Sequence, residues 1–164
     1  MKFFISFALL LLTLAISPFS WATGSSAHSV YTDLTDCQLL EEGQYWSVRK
    51  CPGQKEYQLF LHYADARDWL VIKTANEIVI DLRDDILNNA PGNFPEIPGP
   101  MEWRSKGNPL TALIFRVFGS SDYGLQKKSE LFVVRIEGSK ACLIGTTASN
   151  KQARQMADSN KRCP

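Results

Sequence analysis

Alternation of apolar and polar positions predicts that most of this chain folds as β-strands. The segment YQLFLHY (57–63) has aliphatic and tyrosine side chains on one face and Gln58, Phe60 and His62 on the other, the period of two expected of a strand. The β-branched runs WLVIK (69–73) and IVIDL (78–82) follow, joined by a short hairpin connection. The most apolar strand candidates are LTALIFRVF (110–118) and ELFVVRIE (130–137).

Other segments carry different signals. Residues 90–100 (APGNFPEIPGP) contain four prolines and two glycines, a density that predicts a long loop. Residues 83–89 favour one helical turn, and residues 101–104 (MEWR) are expected to re-enter the sheet. Residues 149–160 predict a C-terminal helix, with Thr147 or Ser149 as its cap and a narrow apolar stripe formed by Ala153, Met156 and Ala157.

These elements predict a mainly β protein. We expect a small antiparallel β-barrel or β-sandwich of about 6–8 strands, with a C-terminal α-helix and two disulfides. The expected organisation is a single globular domain over residues 23–164, in which residues 23–29 form a disordered start.

Residues 1–22 have the pattern of a secretory signal peptide. Lys2 precedes an apolar run over residues 3–16, and Ser20 and Ala22 supply small residues before a cut at Thr23. An uncleaved anchor is the alternative, but the run is short for a bilayer span of about 20 residues. We therefore expect an exported protein, periplasmic or extracellular, with no membrane span in the mature chain.

Four cysteines lie in the predicted mature chain: Cys37, Cys51, Cys142 and Cys163. An even number in an exported protein indicates disulfides, and three pairings are possible. We favour Cys37–Cys51 and Cys142–Cys163, because each pair closes a short local loop. Four free thiols are the alternative. A zinc site is disfavoured by the lack of a Cys-x-x-Cys spacing and by a total of two histidines.

Composition and charge narrow the partner classes. The 164 residues include 18 Lys+Arg and 17 Asp+Glu, and 45% are hydrophobic, which is typical of a globular chain. A net charge near zero gives no long-range attraction to nucleic acid. No glycine-rich phosphate loop is present, so we predict no nucleotide or other cofactor.

Catalytic patterns are weak. The best cluster combines His62 with Asp65 or Asp68, which suits a small hydrolase or a metal site but is more typical of a solvated turn. Ser120 and Ser121 do not sit in a Gly-x-Ser-x-Gly motif. Carboxylates available for acid–base chemistry are Asp84, Asp85, Glu41, Glu42, Glu96 and Glu102. We predict no catalytic and no metal-ligating residues.

Aromatic residues in loops are the better functional candidates, because exposed Trp and Tyr contact proteins and sugars well. Phe94 and Ile97 lie in the proline-rich loop, and Tyr123 lies near the tip of the loop 119–129. Trp103 follows the proline-rich loop between Glu102 and Arg104, and we expect it to be exposed. The leading hypothesis is a non-enzymatic module that binds a protein or an envelope component through these four residues.

The predicted signal peptide, short strands and paired cysteines together resemble the small secreted β-barrels that inhibit lysozyme in bacterial envelopes. The resemblance lies in the architecture and rests on no residue-by-residue motif. It implies an alternative function, inhibition of a lysozyme-type cell-wall hydrolase by a loop that enters a carboxylate-bearing cleft. Lys127, Lys128 and Arg104 would supply the positive charge for that contact.

Overall fold

Ten strands form two antiparallel sheets in the part of the chain that the structure describes. A computed structural model covers residues 26–120 and 127–164. The strands are β1 (Ala27–Thr32), β2 (Gln38–Glu42), β3 (Trp46–Gln54), β4 (Tyr57–Ala64), β5 (Arg67–Lys73), β6 (Val79–Asp81), β7 (Met101–Lys106), β8 (Leu110–Ser120), β9 (Lys127–Glu137) and β10 (Lys140–Thr147). Sheet 1 has the strand order β1–β7–β8–β9–β10 and sheet 2 the order β2–β3–β4–β5–β6.

The main core lies between the two sheets. Alternation along β4 sends Leu59 and Leu61 inward, where they meet the inner face of sheet 1. Sheet 1 contributes Trp103, Phe115 and other large side chains that are almost fully buried. The short helix α1 (Arg83–Asn89) also adds to this core. Leu82, just before the helix, and Ile86 within it are both buried there. The arrangement is a β-sandwich.

A second, smaller core lies between the outer face of sheet 1 and helix α2 (Asn150–Asp158). Ala153 and Ala157 are buried there against Ile114 and Val133. Ser149 caps the helix, since its hydroxyl accepts a hydrogen bond from the Gln152 N–H. The molecule therefore has three layers: sheet 2, sheet 1 and α2.

Charged residues are buried beneath α2. Arg154 Nε donates to Glu102 Oε1 at 2.8 Å, and Arg104 Nη1 lies 3.6 Å from the same oxygen. Ser29 Oγ also donates to this oxygen, at 2.5 Å. Arg104 pairs in addition with Asp158 in the last turn of the helix. This network ties α2 to strands β1 and β7.

The predicted fold class is confirmed: the protein is mainly β, with a C-terminal helix and the disulfides Cys37–Cys51 and Cys142–Cys163. The fold is the sandwich rather than the barrel. Its ten strands exceed the expected six to eight, in part because the edge strand β2 is exposed throughout and carries a weak pattern. The predicted disordered start, residues 23–29, is wrong from Ala27 onward, because β1 pairs with β7. The predicted signal peptide, residues 1–22, lies outside the described residues.

Helices α1 and α2 are too short to cross a bilayer, and no other helix within residues 26–120 and 127–164 is long and apolar enough to do so.

Candidate binding groove

A groove crosses the inner face of sheet 2 at one end of the sandwich. The register places Ser47, Tyr63 and Asp68 side by side on β3, β4 and β5, and these residues form part of its floor. One wall is the loop 94–98, and the other is the 3₁₀ turn Leu34–Asp36 together with the β2–β3 hairpin.

Three connected cavities make up the groove. The first lies beside the β2–β3 hairpin and has a volume of about 450 Å³. The middle cavity has a volume of about 290 Å³. The third cavity, of about 360 Å³, lies beside the loop 94–98 and the end of β8. Arg49 and Tyr63 line all three cavities, so these two residues mark the centre of the groove.

Exposed aromatic rings line the groove along its length. Most large apolar side chains on the inner face of sheet 2 are buried in the core, whereas four rings in the groove are at least 40% exposed: Tyr45 (66%), Trp46 (44%), Tyr63 (40%) and Phe94 (47%). Exposed rings in a concave surface are typical of binding sites, because they offer contact area at low cost in conformational entropy.

The polar floor centres on Asp68. Asp68 Oδ2 accepts a hydrogen bond from the Ile97 N–H at 2.8 Å, and the Asp68 N–H donates to Pro95 O at 2.8 Å. Burial raises the pKa of the Asp68 carboxyl; the nearby Glu96 charge adds to this rise, whereas the Ile97 hydrogen bond and Arg49 oppose it. The groove thus contains a carboxylate that is partly desolvated, a common feature of functional sites.

The loop 94–98 is fixed to both sheets. Besides its contacts with Asp68, Glu96 forms a two-way backbone bridge with Phe118 on β8, each hydrogen bond being 2.9 Å long. Gly92 and Gly119 approach so closely that a Cβ on either residue would overlap the other's backbone. Glu96 also pairs with Lys127 at 2.8 Å, across the third cavity.

The predicted binding residues divide into three groups. Phe94 is exposed in the groove, and Arg67 lies over its ring, with the guanidinium carbon 5.5 Å from the ring centre. Ile97 is 2% exposed and belongs to the core beneath the loop. Trp103 is fully buried, so the expectation that it is exposed is wrong. Tyr123 lies outside the described residues.

Trp103 is buried because β7 is an inner strand of sheet 1, flanked by β1 and β8. Its indole Nε1 donates to the Thr32 hydroxyl at 2.9 Å. Glu102 and Arg104, the neighbours that suggested a surface position, point to the opposite face, where α2 covers them. For the same reason Arg104 does not project from a loop as the inhibitor hypothesis requires.

The His62 cluster does not assemble. His62 pairs in register with Trp69, whereas Asp68 pairs with Tyr63, so His62 and Asp68 point to opposite faces of sheet 2. The His62 ring stacks on Trp69 with centroids 5.2 Å apart, and burial lowers its pKa despite the nearby acids Asp81 and Glu41. Within the described residues, no three His, Cys, Asp or Glu side chains converge as a metal site would require.

The remaining carboxylate candidates serve the fold or face solvent. Asp85 Oδ2 accepts from the Leu143 N–H at 3.1 Å and ties α1 to β10. Glu41 and Glu42 lie exposed on the edge strand β2. Glu102 is held in the network beneath α2.

No protein-family model, curated protein or solved structure matches the chain. The function is therefore inferred from the groove itself.

Two further polar sites are less suited to binding a ligand than the groove is. Ser105 Oγ lies 2.8 Å from His28 Nε2, but Ser105 is 2% exposed and a substrate cannot reach it. A cavity of about 190 Å³ beside the end of α2 is lined by Arg135, whose guanidinium donates to backbone carbonyls of Thr111, Met156, Ser159 and Lys161. These donors are already used, so this cavity serves to anchor the helix end.

The central residues of the groove, Arg49 and Tyr63, were absent from the predicted site, as were Tyr45 and Trp46. The three aromatic residues among them were visible in the sequence, but nothing in the local pattern separates exposed rings from core rings. The separation depends on register across β3, β4 and β5.

Proposed function

We propose that this protein is an exported, non-enzymatic binding module that recognises a component of the cell envelope through the groove. The observation that carries the proposal is the continuous row of exposed rings around Arg49 and Asp68. A soluble domain gains nothing in stability from leaving such rings in water, since their burial is favourable.

Two features of the fold support this function. The groove floor is rigid sheet, and its wall is a loop bonded to both sheets, so little conformational freedom is lost on binding. The two disulfides are compatible with an oxidising compartment outside the cytoplasm.

The test is affinity capture from envelope and secreted material of the source organism, using the oxidised protein as bait. Captured proteins are identified by mass spectrometry and captured polysaccharides by sugar analysis. We expect one or more components to be retained by the natural protein and lost by Tyr63→Ala and Phe94→Ala. Tyr31→Ala is the matched control, because Tyr31 is 52% exposed on β1 and does not line the groove.

Equal retention by the natural protein and both groove variants would contradict the proposal. Lysozyme added to the extract examines the inhibitor hypothesis in the same experiment. Retained lysozyme that also loses activity would favour that alternative.

A further inference from the structure

We infer that the ligand of the groove is a neutral polysaccharide strand, lying across β3, β4 and β5 with its sugar faces against the aromatic rings. This inference rests on the proposed binding function and specifies its ligand class. The shape of the groove, its mixed chemistry and its charge balance each favour such a ligand.

The groove is elongated and runs across the strands. Its floor takes Leu39 from β2, Arg49 from β3, Tyr63 from β4 and Asp68 from β5, four neighbouring strands of one sheet. At about 4.8 Å between strands, these positions span roughly 14 Å. The groove is open to solvent along this length, which suits a segment of a long chain better than a small enclosed molecule.

An extended peptide is less suited to this floor. A peptide that adds to a sheet needs a free strand edge, but the residues of β3 and β4 in the floor are paired on both sides within sheet 2. A ligand in the groove must therefore be recognised by side chains, and those side chains are rings interspersed with hydrogen-bonding groups.

This mixture matches the surface of a sugar. The C–H face of a pyranose ring is apolar and packs on an aromatic ring, while its edge carries hydroxyl groups. The Arg49 guanidinium supplies planar donors and the Asp68 carboxylate supplies an acceptor, in the same cavity that the rings of Tyr63 and Phe94 line. Hydroxyl groups both donate and accept, so one sugar can satisfy both side chains.

One ring is held in place before any ligand arrives. The Trp46 indole lies directly on Gly43, so closely that a Cβ at position 43 would overlap the ring. The Gly43 N–H donates to Trp46 O at 2.8 Å and closes the hairpin beneath the ring. The ring is 44% exposed at the hairpin end of the first cavity, where it offers a surface for stacking.

The charge of the groove favours a neutral chain over a polyanion. Among the described lining residues, the cations are Arg49 and Lys127, and the carboxylates are Glu42, Asp68 and Glu96. Lys127 is already paired with Glu96. Even with Arg67, which lies over the Phe94 ring, the groove has no excess of positive charge to attract an acidic polysaccharide or a nucleic acid.

The test measures binding of the oxidised protein to neutral insoluble polysaccharides, namely cellulose, chitin and a β-1,3-glucan, with purified peptidoglycan, whose peptide stems carry charged groups, as the charged comparison. Sedimentation gives the affinity, and titration calorimetry with soluble oligosaccharides of the retained type confirms it. For at least one of them, we expect Trp46→Ala and Tyr63→Ala to weaken binding by roughly tenfold each. Tyr31→Ala should bind as the natural protein does.

Gly43→Ala provides a second, independent variant. It deletes no aromatic ring but displaces the Trp46 indole, so it should weaken polysaccharide binding without lowering the content of β-structure measured by circular dichroism. This variant separates displacement of the indole from loss of the fold.

Failure of all three neutral polysaccharides to bind, or equal binding by Tyr63→Ala, would overturn the inference. If a captured protein then depends on Tyr63 and Phe94, the groove is a binding site and only the ligand class is wrong. If no captured component depends on them, the proposed function is wrong as well.

Discussion

Asp68 places a carboxylate where burial opposes its charge, and this has a measurable consequence. The pKa of Asp68 in the folded protein is raised above the ordinary value of 3.8. Its contribution to the free energy of unfolding is therefore largest at low pH and is lost as the pH rises through the folded pKa. Asp68→Asn keeps an acceptor for the Ile97 N–H and removes the charge. We expect it to raise the melting temperature at pH 7 by about 1–3 °C.

The increase should shrink as the pH falls towards the raised folded pKa of Asp68, because the carboxyl itself then becomes protonated. Asp65→Asn is the matched control, because Asp65 is exposed in the adjacent turn and asparagine tolerates its positive φ of 49°. Scanning calorimetry of both variants between pH 4 and pH 8 checks the prediction. A lower melting temperature for Asp68→Asn at pH 7 would show that the charge stabilises the fold.

Individual residues also show where sequence patterns mislead. The segment MEWR alternates charged and apolar residues, which is the ordinary sign of a half-exposed strand. Met101 and Trp103 face the main core as such a pattern allows, but Glu102 and Arg104 are buried as well, because they pair with Arg154 and Asp158 of the covering helix α2. The pattern correctly predicts a strand, whereas exposure depends on a helix about 50 residues away.

At the scale of elements, the network beneath α2 is expected to make the stability of the docked helix depend on pH. Burial raises the pKa of Glu102, but hydrogen bonds from Arg154 and Ser29 outweigh burial and hold the pKa below its ordinary value of 4.5. The stabilisation is therefore complete above pH 4.5 and is lost as the pH falls through the folded pKa.

Glu102→Gln should lower the free energy of unfolding at pH 7 by about 3 kcal/mol, because it leaves Arg104 with one carboxylate partner, Asp158. Urea unfolding at pH 7 and at pH 3.5 measures this, and the difference between the variant and the natural protein should narrow at the lower pH. Glu96→Gln, which removes an exposed ion pair with Lys127, should cost less than about 1 kcal/mol. Equal losses in the two variants would contradict the role assigned to Glu102.

Elements with strong local signals were predictable from the sequence. Strands β4, β8 and β9 follow clear periodicities, and the cap of α2 is Ser149, one of the two expected candidates. Edge strand β2 was not predicted, because a strand that is exposed along its whole length shows no useful periodicity, whereas β6 lies within the predicted β-branched run 78–82. Their place is set by pairing with β3 and β5.

At the scale of the whole molecule, the groove could not be predicted because it is assembled from segments far apart in the chain. Its central residues Arg49 and Tyr63 come from one hairpin, whereas its walls come from the turn Leu34–Asp36 and the loop 94–98. The sequence indicated the proline-rich loop and Phe94. It did not indicate that packing the loop onto Asp68 would bury Ile97 and leave Phe94 facing the groove.

The two disulfides should contribute similar stability but protect different parts of the molecule. They span 14 and 21 residues, so loop entropy gives each about 3 kcal/mol. Cys37–Cys51 joins the start of edge strand β2 to β3, beside the groove. Cys142–Cys163 joins β10 to the segment after α2, which supplies the Ser159 and Lys161 carbonyls that accept from Arg135.

Replacing each pair with alanine should therefore separate local protection from global stability. Hydrogen exchange should become faster at the β2 amides in Cys37→Ala/Cys51→Ala and at the α2 amides in Cys142→Ala/Cys163→Ala, while the free energies of unfolding fall by comparable amounts. Each double variant is the control for the other, since both remove one disulfide from the same fold. If α2 exchanges as fast in the first variant as in the second, the C-terminal disulfide does not specifically hold the helix, and the Glu102 network, the Arg135 hydrogen bonds and the packing of Ala153 and Ala157 hold it instead.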